Sequence, residues 1–173
     1  INDIYFKYSK NTNNYMGIDL ESVRNKISKK TKLIFIANPG NPTGTYISLS
    51  SIEKFVSRIS RKIIIVIDEA YYEYLNPKID KSAASLVSKY ENLIVTRSFS
   101  KIYGLASLRV GYGISNHKLI EKLMLFKQPF NTNLFAQKAA ELALLDEKFV
   151  ALSKLNNTMM LNKLEKLFHE LSI

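Results

Sequence analysis

Lys101 stands in the stretch Ser98-Phe99-Ser100-Lys101, directly after the apolar run Leu93-Ile94-Val95-Thr96 and eight residues before Arg109. An amine at a strand end can condense with an aldehyde to form a Schiff base. Small hydroxyl side chains, backbone N–H groups and a planar guanidinium beside it can neutralise a phosphate, and a charge-assisted hydrogen bond of that kind contributes roughly 1.5–3 kcal/mol. Ser98 and Arg109 therefore read as a phosphate cradle, with Gly104 and Gly111 allowing backbone to come close. The alternative for Arg109 is a surface ion pair. Its place between Leu108 and Val110, in what reads as an apolar strand, argues against that.

Asp68 follows the run Ile63-Ile64-Ile65-Val66-Ile67, so it should emerge at the C-terminal edge of a buried strand, where open α/β sheets bind ligands. A carboxylate there can pair with a protonated pyridine nitrogen and keep an aromatic ring electron-withdrawing. The competing roles are a helix cap or a Mg²⁺ ligand of the Walker type. The Gly40–Gly44 segment lacks the Gly-Lys-Ser/Thr ending that a phosphate-binding Walker loop requires. Tyr71, three residues on, could hydrogen-bond a ring oxygen, whereas Tyr72 and Tyr74 read as packing residues. Asn41 lies between Pro39 and Pro42 in Asn38-Pro39-Gly40-Asn41-Pro42-Thr43-Gly44, a turn stiffened by its prolines and allowed to reverse at Gly44. A covalent lysine, a phosphate cradle and a carboxylate for a pyridine nitrogen together point to pyridoxal phosphate.

The elements that must position these residues alternate between strand and helix. Residues 4–8 read as a short strand. Asp19 is a plausible N-cap for a helix whose apolar face is Leu20, Val23 and Ile27. Residues 32–37 read as a buried strand, and Ser48 opens a helix carrying Leu49, Ile52, Phe55, Val56 and Ile59. Residues 63–67 suit a strand covered on both faces. A weaker helix is expected over 82–89, strands over 93–96 and 108–114, and helices around 116–127, 133–146 and 148–171. The pattern predicts an α/β fold with a mostly parallel sheet sandwiched by helices.

Bulk properties narrow the function classes. The chain has 173 residues and 46% hydrophobic content, enough for one domain with a core. It contains no cysteine, which removes disulfides, thiolate metal sites and cysteine nucleophiles. His117 and His169 both fall in helical surroundings, which argues against a Ser-His-Asp triad or a histidine metal site. No apolar run approaches membrane-spanning length. The formal charge of +10 comes from 25 Lys+Arg against 15 Asp+Glu, but the lysines are scattered and no stripe mixes arginines with exposed aromatics. A basic surface is expected rather than a nucleic-acid footprint. No metal, nucleic acid or membrane partner is expected, and a cytoplasmic setting is the default.

These motifs, in this order, resemble the fold-type I pyridoxal-phosphate-dependent aminotransferases. Asn-Pro-x-Asn-Pro-Thr-Gly matches at 38–44, Asp-Glu-Ala-Tyr at 68–71 and Ser-x-Ser-Lys at 98–101, with Arg at 109. Within that superfamily the histidinol-phosphate aminotransferase family is the closest in pattern, through residues 32–39, 97–101, 104–112 and 129–133. The resemblance implies that Lys101 carries the Schiff base and shuttles a proton at the substrate Cα. It likewise implies Asp68 on the pyridine nitrogen, Asn41 and Tyr71 on the ring oxygen, and Ser98, Ser100 and Arg109 on the phosphate. It further implies a homodimer, a small-molecule amino donor and a 2-oxo acid as partners, and amino transfer between L-histidinol phosphate and 2-oxoglutarate. Residues 1–147 would be the central part of the cofactor-binding large domain, incomplete at both ends, and residues 148–173 a long helix leading toward a small domain. Alternatives are an aromatic aminotransferase, a threonine-phosphate decarboxylase, an aminotransferase-like domain of a transcription regulator, and a Ser-x-x-Lys acyl hydrolase built on Ser98 and Lys101. The hydrolase would also need Ser-Asp-Asn and Lys-Thr-Gly, and neither occurs here.

Overall fold

Four short strands form one sheet in the computed structural model, which describes residues 17–76, 78 and 81–171. They are β1 (Leu33–Ala37), β2 (Ile64–Asp68), β3 (Leu93–Ser98) and β4 (Gly111–Ser115), side by side in that order. β1, β2 and β3 run parallel, and β4 lies antiparallel to β3. The sheet is therefore mostly parallel, as expected. The strand expected at residues 4–8 falls outside the described residues. Two compact units divide the chain, residues 1–98 with 111–131 and residues 99–110 with 132–173.

The first unit holds the sheet. Parallel neighbours need a crossover, and α2 (Leu49–Ser57) supplies the one from β1 to β2. Its buried Ile52, Phe55 and Val56, with Ile59, pack on Ile34, Ile36, Ile65, Ile67, Leu93 and Val95 of the sheet. Ile65 and Ile67 have no exposed surface and Val66 keeps 7%, so β2 is buried on both faces. Each isoleucine taken fully from water contributes about 1.5–3 kcal/mol. β1 departs from the expected buried strand: Leu33 and Phe35 remain 45% and 57% exposed. Among the described residues it has a neighbour on one side only, and just one of its faces is covered.

Caps follow the sequence closely. Asp19 Oδ1 accepts from the N–H groups of Glu21 and Ser22 at 3.0 and 3.2 Å and starts α1 (Leu20–Asn25). Ser48 Oγ accepts from Ser51 N–H at 3.3 Å to start α2. Such caps stabilise a helix by about 0.5–2 kcal/mol. Element ends are less faithful. The helix expected over 82–89 is a 3₁₀ turn, Ala83–Leu86, because Glu69 seizes its first residues (below). α3 (His117–Met124) stops short of residue 127, ending in i→i+3 bonds from Phe126 and Lys127. Pro129 lies ahead and disfavours helical backbone at the residue before it.

The second unit contains α4 (Leu134–Leu145) and α5 (Glu147–Glu170), started by Asn133 and Asp146. These match the helices expected at 133–146 and 148–171. Ala136 and Ala140 of α4 are buried. The segment 99–110 is the unit's other part. The strand expected over 108–114 is shorter: Ala106–Leu108 is a 3₁₀ turn, Arg109 adopts left-handed backbone at φ 53° and ψ 47°, and extended structure begins only at Gly111.

Candidate functional site

Register brings the ends of the three parallel strands to one edge. Ala37 pairs with Asp68, and Asp68 with Thr96. Asp68 is the exposed last residue of β2. Its Oδ1 accepts from Thr96 Oγ1 at 3.2 Å and from Ala70 N–H at 3.1 Å, and Oδ2 has no partner among the described residues. The carboxylate is thus aimed by one oxygen and offers the other.

The loop after β1 reaches the same edge. Buried Asn38 clasps Ile47 at both ends of its amide, accepting from Ile47 N–H at 2.7 Å and donating to Ile47 carbonyl oxygen at 2.9 Å. Its own N–H donates to Asp68 carbonyl oxygen at 2.9 Å. The turn inside that clasp closes through Gly40 N–H to Thr45 carbonyl oxygen and Gly44 N–H to Gly40 carbonyl oxygen. Gly44 sits at φ 65°, where an L side chain is strained. The turn delivers Asn41, whose Nδ2 donates to Tyr71 Oη at 3.1 Å. Asn41, Asp68 and Tyr71, singled out on sequence grounds, are therefore brought to a single sheet edge.

Behind that edge lies a buried ionic cluster that the sequence reading did not identify. Glu69 is 1% exposed. Its carboxylate accepts from Ser82 Oγ and Ala83 N–H, each at 2.7 Å, and from Arg97 at 2.8 Å. Arg97 also donates to Glu73 Oε1 at 3.1 Å and to Ser82 Oγ at 2.9 Å, and stacks 3.8 Å over the Tyr72 ring. Tyr72 is thus more than packing. Burial works against the Arg97 charge, but the Glu69 and Glu73 carboxylates outweigh it and hold the guanidinium above its ordinary pKa. Burial also pushes the neighbouring Tyr112 phenol up, and Arg97 opposes that shift. Glu73 Oε2 is buried without a donor among the described residues. One signal was available: two adjacent acids at the end of a strand covered on both faces point to opposite sides of the sheet, a pattern in which an inward carboxylate needs a buried partner.

Ser98 closes β3, opposite Gly111. The second unit carries the remaining predicted residues. Lys101 is exposed and begins a turn closed by Gly104 N–H on Lys101 carbonyl oxygen at 2.9 Å, with Gly104 at φ 70°. Arg109 curls back, its Nη1 donating to Ala106 carbonyl oxygen at 2.8 Å and reaching Ser100 Oγ at 3.5 Å. Ser100 and Arg109 are thus neighbours, as the phosphate reading requires, though through a turn and not a strand.

A mostly parallel sheet presenting a half-satisfied carboxylate and an amide–phenol pair at the C-terminal edge of its parallel strands has the ligand-binding architecture of an open α/β protein. Residues 3–172 match the family Aminotransferase class I and II, and the chain belongs to that family. It is 47% identical over 139 residues to a histidinol-phosphate aminotransferase of Listeria innocua serovar 6a, covering 80% of this chain and 38% of that protein. Among solved structures, the histidinol-phosphate aminotransferase from Clostridium acetobutylicum aligns with a TM-score of 0.76 at 29% identity, over 90% of this chain and 47% of the other. The Sinorhizobium meliloti histidinol-phosphate aminotransferase in complex with pyridoxal-5'-phosphate gives 0.74 at 28%, over 80% and 38%. The chain spans less than half the length of these relatives. The expected α/β aminotransferase fold is what it shares with them, and the Ser-x-x-Lys hydrolase alternative is set aside.

Proposed function

We propose that this chain forms part of a pyridoxal-phosphate-dependent aminotransferase acting between L-histidinol phosphate and 2-oxoglutarate. The observation that carries the reading is the edge of the sheet: Asp68 held by Thr96 through Oδ1 alone, beside the Asn41–Tyr71 pair. That donor set fits the group. A carboxylate suits a protonated ring nitrogen, an amide and a phenol suit a ring oxygen, and the Ser100–Arg109 neighbours suit a phosphate. When bound, pyridoxal phosphate supplies a reactive aldehyde and a ring that withdraws electrons from the substrate Cα.

The chain's own residues have distinct tasks. Asp68 keeps a proton on the ring nitrogen, and Asn41 and Tyr71 donate to the ring oxygen. Ser98, Ser100 and Arg109 bind the phosphate, Arg109 through a fork that matches its oxygens. Lys101 Nζ is the covalent anchor and the base that moves a proton at the substrate Cα. It follows Ser98 by three residues, which by chain length alone cannot span more than about 11 Å. On the same reading the enzyme is a cytoplasmic homodimer, with residues 1–147 in its large domain and residues 148–173 leading out of it.

Absorbance of the full-length protein with pyridoxal phosphate, before and after borohydride, tests the cofactor. A reduced adduct is expected on the peptide containing Lys101 and should be lost in Lys101→Ala; an adduct elsewhere would refute the assignment. Histidinol phosphate is expected to be used in preference to phenylalanine and threonine phosphate. Absence of turnover with histidinol phosphate would end the substrate assignment.

A further inference from the structure

The buried cluster behind Asp68 takes no part in the chemistry above, yet it is built from the residues adjoining those that do. Asp68 and Glu69 are consecutive and face opposite sides of the sheet, one exposed and one 1% exposed. Thr96 and Arg97 repeat this alternation on β3. The two strands are therefore joined side chain to side chain at both faces: Thr96 Oγ1 to Asp68 Oδ1 on one, Arg97 to Glu69 on the other. Between them Glu69 N–H donates to Thr96 carbonyl oxygen at 2.9 Å. The Asp68–Thr96 pair is the last rung of the β2–β3 ladder, so the strand end that carries the exposed carboxylate is held by the bonds of Glu69 and by Asn38 N–H on the Asp68 carbonyl oxygen.

We infer that the Glu69–Arg97 pair, bridged by Ser82, is the positioning device that holds Asp68 toward the cofactor ring. Glu69 accepts from three separate residues, Ser82, Ala83 and Arg97, so neither of its oxygens is free to turn. Ser82 Oγ donates to Glu69 Oε2 and accepts from Arg97 Nη2, locking the pair's geometry. Stability alone does not account for the arrangement, since a buried ion pair is often no better than apolar side chains of equal volume. Its directional bonds fix the backbone at Glu69, and through it the preceding carboxylate. The inference rests on the cofactor reading, and its test separates the two.

The full-length enzyme is compared as Ser82→Ala, Arg97→Lys, Asp68→Asn, and each of the first two combined with Asp68→Asn. Lysine keeps the charge and loses the fork. Two quantities are measured: cofactor affinity by fluorescence titration, and the pH titration of the bound cofactor's visible absorbance. Asp68→Asn should weaken affinity and displace the titration. Ser82→Ala and Arg97→Lys should change both in the same direction, with affinity falling roughly 10- to 100-fold, as for residues that orient a ligand-binding group from behind. In the double variants little should be added beyond Asp68→Asn, because the effect runs through that carboxylate. Singles indistinguishable from the unmodified enzyme, or effects that add in full to Asp68→Asn, would reduce the pair to scaffold and overturn the inference. An Asp68→Asn enzyme with unaltered affinity and titration would instead refute the cofactor reading, and the positioning role with it. Should Arg97→Lys fail to fold, Ser82→Ala and its double variant decide.

Discussion

Arg109 combines two properties that a single substitution can separate. Its left-handed backbone, φ 53° and ψ 47°, costs an L residue about 1–2 kcal/mol that glycine does not incur. Its guanidinium supplies charge-assisted bonds of roughly 1.5–3 kcal/mol. Both Arg109→Ala and Arg109→Gly should lose about ten- to a hundredfold in pyridoxal phosphate affinity, read by titration. Chemical denaturation should nevertheless find the glycine variant more stable than the alanine variant by about 1–2 kcal/mol. Equal stabilities would mean that the strain is not felt. Single-residue placement is the most legible layer of this sequence: Asn41, Asp68 and Tyr71 stand out by type and neighbours, and they lie at one edge. Glu69, Arg97 and Ser82 are not legible in the same way: the adjacent acids hint that one is turned inward, but each partner lies more than ten residues away and nothing local names it. The backbone of Arg109 was misread for a related reason. Apolar flanks look the same whether a residue is extended or turned.

Elements were legible where a side chain starts them and obscure where packing stops them. Asp19 and Ser48 cap α1 and α2 as expected, since the capping oxygen and the N–H it serves lie within three residues. Residues 82–89 carry helical periodicity, but Glu69 draws Ser82 and Ala83 to the end of β2, and only a 3₁₀ turn follows. β4 was placed too early and starts at a glycine for a steric reason. A Cβ on Gly111 would stand 2.6 Å from the Arg97 carbonyl oxygen, so β3 and β4 could not keep their spacing. Gly111→Ala should cost about 1–3 kcal/mol, in line with other overpacked sites, measured as a lower denaturation midpoint. An unchanged midpoint would show that β4 can move away at no cost.

For the chain as a whole, the α/β class and mostly parallel sheet followed from alternating β-branched runs and amphipathic stretches. What periodicity could not reveal is how much apolar surface stays uncovered. In the first unit Leu125, Phe126 and Phe130 are 83%, 84% and 97% exposed; in the second, Leu134, Phe135 and Leu145 are 76%, 82% and 75% exposed. Exposed apolar surface on this scale promotes association. The 173-residue chain expressed by itself should self-associate, which light scattering after size exclusion would register. A monodisperse monomer with a single sharp melting transition would contradict this.

The side-by-side acids at the end of β2 also constrain the gene. Because successive strand residues alternate faces, loss of one codon anywhere within Ile64–Asp68 would slide Glu69 into the outward slot. A longer acid would then stand at the sheet edge, and Arg97 would face an interior without its counter-ion. A substitution in this stretch changes one side chain, whereas a change of length moves both carboxylates out of their places in a single event.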